Sequence, residues 1–148
     1  MGRPRPMVEF LFDTSRAVVD LVLSGTVARH PGIDIIVPHA GATLAMIADR
    51  VSLVSLMLDV PPEVDVLADL ARLHYDLAGF PVPRQLDALL TLTSRDHLHY
   101  GSDWPFTPEF AVVAAREQLA SAGDVPGALL EALTANSATL LGLTDHRP

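Results

Sequence analysis

The stretch IDIIVPHAG at residues 33–41 decides the fold of this chain. Its first five residues are apolar apart from Asp34 and rich in β-branched side chains, which is typical of a strand buried on two sides in a parallel sheet. His39 follows where this predicted strand ends, and parallel α/β sheets carry their functional groups at that edge. The stretch therefore predicts an α/β fold with one chemically active side chain at its working edge.

Helical and strand-like patterns alternate outward from this strand. Asp13 or Thr14 is suited to cap a first helix. Helical spacing of apolar residues predicts helices over residues 16–24, 42–58, 64–73, 83–92, 108–121 and 125–143, and β-like runs predict strands over 74–78 and 98–102. One helix followed by three strand–helix units predicts a parallel sheet with right-handed crossovers. We expect one domain over residues 8–148, preceded by a disordered, Pro- and Arg-rich lead-in over residues 1–7.

Length and composition exclude several classes of protein. The chain has 148 residues, whereas a complete (β/α)8 barrel typically needs about 250. Its net charge is −8 and its basic residues are scattered arginines, so we expect no nucleic-acid partner. Apolar stretches shorter than about 20 residues predict no membrane span. The absence of cysteine fits a cytoplasmic protein and leaves only His, Asp and Glu to hold a metal.

A second phrase, GSDWP at residues 101–105, repeats the arrangement seen at His39. Asp103 follows the last predicted strand, as His39 follows the first, so both are candidates to bind a metal or move a proton. Each also has a plain structural interpretation, because a histidine at a strand end is commonly hydrogen-bonded and an aspartate can cap the next helix. The phrase lacks the Gly-x-Ser-x-Gly elbow of serine hydrolases, and no dinucleotide or phosphate-loop motif occurs.

His97 and His99 form a further pair, since alternate residues of a strand point to one face. At about 3.3 Å per residue, His99 lies roughly 13 Å from Asp103 along a strand, so the two cannot share one ion. We therefore interpret the pair as a polar strand entrance at the opposite end of the sheet. His74 and Asp76 alternate on the middle strand, and Asp76 is expected to be a polar residue of the interior.

Five phrases, in order, resemble the C-terminal part of the amidohydrolase-related TIM-barrel family. They are DTSRA at residues 13–17, PHAG at 38–41, YDLA at 75–78, GSDWP at 101–105 and NSATLL at 136–141. The branch that contains aminocarboxymuconate-semialdehyde decarboxylase and the resorcylate decarboxylases is the most similar. The resemblance implies a partial (β/α)8 barrel made of about the last three β/α units.

The resemblance also implies roles for two residues. His39 matches the family's strand-6 histidine, which is an acid/base group or, in binuclear relatives, a metal ligand. Asp103 matches the aspartate after strand 8 that binds a divalent metal, for which we predict zinc, with manganese as the alternative. Ala42 stands where the family has a second glycine, and Trp104 where it usually has tyrosine. The family's other metal ligands precede the region matched here, so we expect an incomplete metal site in the isolated chain.

These observations predict a metal-dependent hydrolase or non-oxidative decarboxylase of a small carboxylated or aromatic substrate. A free three-stranded sheet would leave apolar surface uncovered, so we expect a homo-oligomer or a complementing N-terminal barrel part. The competing hypothesis is a truncated remnant, or an assembly or binding module, without catalysis of its own.

Overall fold

The computed structural model describes residues 2–143, which form seven α-helices and three short strands. Along the chain these are α1 (Glu9–Leu23), α2 (Thr26–Arg29), β1 (Ile36–Val37), α3 (Leu44–Ser55), α4 (Val66–Ala71), β2 (His74–Asp76), α5 (Arg84–Leu89), β3 (Leu98–His99), α6 (Glu109–Ala120) and α7 (Ala128–Leu140). Three single 3-10 turns join them, at Arg5–Met7, His39–Gly41 and Arg95–His97. The predicted alternation of strands and helices is confirmed.

The three strands form one parallel sheet in the order β1-β2-β3. Val37 of β1 pairs with Tyr75 of β2, which pairs in turn with Leu98 of β3. Because parallel neighbours need crossover connections, α3 and α4 lie between β1 and β2, and α5 lies between β2 and β3. The predicted α/β class with parallel strands is confirmed.

The core lies between this sheet and its helices. Tyr75 and Leu77 of the middle strand and its extension are completely buried, and the Tyr75 hydroxyl donates a hydrogen bond of 2.6 Å to the Leu70 carbonyl. Burial raises the pKa of the Tyr75 phenol. Other fully buried side chains include six leucines, namely Leu44, Leu70, Leu89, Leu98, Leu119 and Leu133. This core fixes the strand ends from which the candidate site is built.

Two local predictions differ from the structure. Helix α1 begins at Glu9, so Asp13 and Thr14 lie inside it and do not cap it. Ser15 is buried near the middle of this longer helix, and its hydroxyl donates to the Leu11 carbonyl one turn earlier. The strand predicted to be buried on both sides is also exposed in part, since β1 pairs with one neighbour only and Ile36 is 46% exposed.

The ends of the chain bear on two further predictions. Residues 2–7 of the predicted lead-in carry the Arg5–Met7 turn, none of whose residues is buried. Met1 of the predicted lead-in and residues 144–148 of the predicted domain lie outside the described residues. Disorder of the lead-in stays a prediction.

Large apolar side chains remain exposed on the outer helices and on the loop after β3. Met46, Leu56 and Met57 are about four-fifths exposed, and Phe106 is 88% exposed. None of the helices among residues 2–143 has the length and apolar character needed to cross a bilayer. Association through this apolar surface stays a prediction.

Candidate active site

The carboxyl ends of the three strands carry the candidate site. His39 follows β1, Asp76 is the last residue of β2, and Asp103 lies in the loop after β3. Because the strands are parallel, these ends share one edge of the sheet, which is where barrel enzymes place their reactive groups.

The structure brings the two sequence-predicted residues together. His39 Nε2 lies 3.9 Å from Asp103 Oδ2, and both side chains are about one-third exposed. At this distance the two groups attract each other when the imidazole is protonated, and both can reach a small molecule at the open edge. Their juxtaposition follows from the parallel sheet and not from nearness in sequence.

His39 belongs to a left-handed turn of the backbone. The φ angles of His39, Ala40, Gly41 and Ala42 are +56°, +50°, +74° and +54°. Each left-handed residue other than glycine costs about 1–2 kcal/mol, so three of these four residues are strained. The turn is closed by a hydrogen bond of 2.9 Å from the Ala42 amide to the His39 carbonyl. Strain of this kind is concentrated at functional sites, where the surrounding structure has to hold it.

Contacts from two other elements reach this turn. Asp76 Oδ1 accepts a hydrogen bond of 3.0 Å from the His39 amide and another of 3.0 Å from the Ala78 amide. From α5, the Gln85 side-chain amide donates to the His39 carbonyl at 2.5 Å and to the Ala42 carbonyl at 3.1 Å. A Cβ atom on Gly101 would lie 2.8 Å from Asp76 Cγ, so the backbone after β3 closes directly on this carboxylate.

Asp103 is held by the loop that follows it. Thr107 donates two hydrogen bonds to this residue, from its hydroxyl to Asp103 Oδ2 at 2.7 Å and from its amide to the Asp103 carbonyl at 2.8 Å. Asp103 itself has a φ of +57°. These local hydrogen bonds orient the Asp103 carboxylate. Asp103 caps no regular helix, because α6 begins only at Glu109.

The site fits part of a metal centre. His39 Nδ1 is buried without a hydrogen-bond partner, and Asp103 offers a carboxylate beside the same imidazole. Across residues 2–143 no group of three or more His, Asp or Glu side chains is arranged to hold a metal ion. Since a catalytic zinc site uses three protein ligands and a water, the described residues supply at most part of such a set.

Three histidines cluster around β2 and β3: His74 begins β2, His97 precedes β3, and His99 ends β3 in register with Asp76. His74 Nδ1 lies 2.7 Å from His99 Nε2, and the ring of His74 is 4.7 Å from that of His97 between centroids. Burial, then the neighbouring His97, lowers the pKa of His74, although Asp34 opposes this. Burial and then His74 lower the pKa of His99. We call these three residues the histidine cluster.

The structure changes the interpretation of the sequence pair His97 and His99. His97 lies in the turn before β3 and not on the strand, but both rings still contact His74. Sequence analysis missed this partner, although pairing the middle and last predicted strands in parallel register would have brought His74 close to them. The sequence analysis also missed Gln85, because a polar residue within a predicted helix gives no indication of a role in the site.

The fold and the site together define the chain as part of a (β/α)8 barrel whose polar site lies at the carboxyl ends of its strands. The sequence profile described as amidohydrolase matches residues 10–143. The chain belongs to the amidohydrolase family, and the predicted resemblance is confirmed.

Its curated relatives include fungal decarboxylases. The chain is 34% identical over 116 residues to the 6-methylsalicylic acid decarboxylase of Penicillium expansum, covering 74% of this chain and 35% of that protein. It is 30% identical over 149 residues to the 6-methylsalicylic acid decarboxylase acuB of Aspergillus aculeatus, covering 93% of this chain and 44% of that protein. The chain therefore spans less than half the length of these relatives.

Solved structures agree on the fold. A protein described as amidohydrolase II superposes with a TM-score of 0.84 at 31% identity, over 94% of this chain and 45% of the other. The 2,6-dihydroxybenzoate decarboxylase from Rhizobium superposes with a TM-score of 0.77 at 19% identity, over 95% and 44% of the two chains. A dihydroxybenzoic acid decarboxylase from Polaromonas, which contains manganese, gives 0.74 at 18% identity, over 95% and 43%. The predicted partial barrel is confirmed.

Proposed function

We propose that this chain forms the C-terminal part of a metal-dependent barrel that removes a carboxyl group, without oxidation, from small aromatic carboxylates of the hydroxybenzoate class. The observation that carries the proposal is the approach of His39 to within 3.9 Å of Asp103 at the strand ends. Similarity to 6-methylsalicylic acid decarboxylases favours decarboxylation over hydrolysis, which the pair would otherwise serve equally well.

The reaction assigns a proton-transfer role to His39. Decarboxylation breaks the bond between the carboxyl carbon and the ring, carbon dioxide leaves, and the electron pair stays on the ring carbon. That carbon must then take up a proton. The His39 imidazole is partly exposed at the open edge, and its Nε2 faces Asp103. As the acid/base group, it would deliver the proton to that ring carbon.

Asp103 is the metal ligand in this proposal. A bound divalent cation would polarise the oxygen atoms of the substrate and stabilise the negative charge that develops on them. The Thr107 hydroxyl holds Asp103 Oδ2 and thereby fixes the carboxylate near the imidazole. Manganese in the Polaromonas enzyme supports a divalent metal, and the choice between zinc and manganese stays part of the proposal.

The metal ligands that the described residues lack would come from the strands that complete the barrel. Among the described residues, β1 and β3 each pair with β2 alone and have one free edge. Closed barrels leave no free edges, so we propose that these edges pair with further barrel strands that carry the other metal ligands. The source would be the remaining part of the barrel or a second copy of this chain.

The experiment that tests the proposal begins with metal content per chain after purification with manganese or zinc. We compare the native chain with Asp103→Ala and with Asp59→Ala, an exposed aspartate outside the site. Loss of a stoichiometric metal in Asp103→Ala alone would support the ligand assignment. Metal retained by Asp103→Ala would contradict it.

Decarboxylation is then assayed with 6-methylsalicylate and 2,6-dihydroxybenzoate in deuterium oxide, where the product should gain one deuterium at the ring carbon that lost the carboxylate. His39→Ala should abolish turnover, whereas His30→Ala, at an exposed histidine, should not. A native chain that holds no metal and forms no product would mean that the chain is catalytically incomplete on its own, and the same assays would then be repeated with the remaining part of the barrel.

A further inference from the structure

We propose that Asp76 and Gln85 are positioning residues that hold residues 39–42 in their left-handed turn and thereby present the His39 ring to Asp103. The conformational part of this proposal stands on the structure alone. Its catalytic consequence rests on the proposed function, in which His39 is the acid/base group.

The turn needs support from outside itself. His39, Ala40 and Ala42 all have φ angles between +50° and +56°, a region that side chains other than that of glycine rarely adopt. Its single closing hydrogen bond lies within the turn and could equally form in a right-handed turn of the same length. The contacts that select the left-handed form must therefore come from neighbouring elements.

Asp76 supplies the contact at the start of the turn. One oxygen of this carboxylate receives both the His39 amide and the Ala78 amide, so it ties the turn to the residues just after β2. Hydrogen bonds to an ionised carboxylate are stronger than those between neutral groups. Gly101 packs closely against the same side chain, because a methyl group on Gly101 would overlap Asp76 Cγ. The carboxylate thus sits between the His39 amide and the backbone after β3.

Gln85 supplies the contacts at the carbonyls. Its amide group donates to the carbonyls of His39 and Ala42, the first and last residues of the turn. A Cβ on Gly41 would lie 3.0 Å from the Tyr75 ring, so the turn also packs closely on the buried core. Together, Asp76 fixes the turn through an N–H group and Gln85 fixes it through two C=O groups.

A consequence follows for the two functional side chains. The direction of the His39 Cα–Cβ bond depends on its backbone angles, so a return of His39 to negative φ would carry the ring away from its position 3.9 Å from Asp103. The hydrogen bonds of Asp76 and Gln85 to His39 reach its backbone and not its ring, so we infer that they act on the site through the turn.

Amide hydrogen exchange of the 148-residue chain tests this proposal without depending on activity. In Asp76→Ala, the His39 and Ala78 amides should exchange about tenfold faster or more, while the amide of Val22 in the core is unchanged. Asp76→Asn keeps an acceptor but loses the charge, so its effect should be smaller. Asp87→Asn, at an exposed aspartate in the first turn of α5, is the matched control and should change neither amide.

Gln85→Leu provides a second variant of similar size that lacks the amide donors. It should accelerate exchange of the Ala42 amide, which closes the turn, without changing the core amide. Unchanged exchange in the turn of both Asp76→Ala and Gln85→Leu would overturn the proposal. Equal acceleration of turn and core amides would also overturn it, because the two residues would then act on global stability alone.

Activity separates this proposal from the proposed function. If the native chain decarboxylates, Asp76→Asn and Gln85→Leu should lower kcat at least about tenfold with little change in KM, since a misplaced acid/base group affects the chemical step. If the native chain is inactive while the exchange results hold, the chain alone does not catalyse the proposed reaction and the positioning role stands.

Discussion

Substitution of Gly101 by alanine provides a sharp test of the packing at the strand ends. The added Cβ would lie 2.8 Å from Asp76 Cγ, 2.9 Å from Asp76 Cβ and 3.0 Å from Asp76 Oδ1. Gly101 does not occupy the left-handed region, so the backbone conformation accepts alanine. The substitution therefore acts through the overlap of the added Cβ with Asp76. Asp76 has little freedom to retreat, because its Oδ1 holds the amides of His39 and Ala78.

The structure allows two responses, of which the first is the less costly. If Asp76 stays in place, the surrounding backbone must shift, and overpacking of this kind costs about 1–3 kcal/mol. If the carboxylate turns away, it loses hydrogen bonds worth about 1.5–3 kcal/mol each for a charged group. We therefore expect Gly101→Ala to lower the free energy of unfolding by about 2 kcal/mol.

Urea unfolding followed by circular dichroism at a fixed pH measures this change. Gly32→Ala is the matched control, because a Cβ at Gly32 meets no atom within 4 Å and Gly32 also lies outside the left-handed region. That control should stay within about 0.5 kcal/mol of the native chain or gain slightly. If Gly101→Ala unfolds at the same urea concentration as Gly32→Ala, the inferred close packing of Gly101 on Asp76 is wrong.

Three further outcomes follow from the rest of the molecule. The pKa values of His74 and His99 are lowered in the folded state, so the unfolded chain binds more protons at mildly acidic pH. The free energy of unfolding should therefore fall as the pH drops below about 6.5. Urea titrations at pH 7.5 and 5.5 should show that this fall is smaller in His74→Gln than in the native chain. Tyr75→Phe should lower the free energy of unfolding by about 1–2 kcal/mol through the lost bond to the Leu70 carbonyl, and no such loss is expected for Tyr100→Phe, measured alongside it. Leu133→Ala should destabilise by about 2–5 kcal/mol in the same assay, whereas Leu141→Ala, at a residue that is 67% exposed, should stay within about 0.5 kcal/mol.

The sequence was sufficient for the framework of the site. Apolar spacing identified the main helices, and the β-branched run before His39 identified a parallel strand. Since parallel strands end at one edge of a sheet, the placement of His39 and Asp103 close together followed from those elements alone. The structure then bears out the partial barrel, while the roles of His39 and Asp103 stay predictions.

The details that could not be predicted depend on contacts between distant segments. A histidine and two alanines in a left-handed turn contradict local preference, so nothing in residues 39–42 except Gly41 indicates that conformation. Gln85 resembles any polar residue of a short helix until the fold brings it to the turn. The strands are also shorter than predicted: β1 begins only at Ile36, β2 ends at Asp76 and β3 ends at His99.

Trp104 gives this molecule an internal optical probe. It is the only tryptophan in the sequence, it follows Asp103 directly, and it is 68% exposed. Its emission therefore reports on the polarity around the Asp103 loop and hardly at all on the core beneath the sheet. A blue shift on addition of an aromatic carboxylate would mark shielding of that indole from water, and it would do so whether or not the compound is turned over.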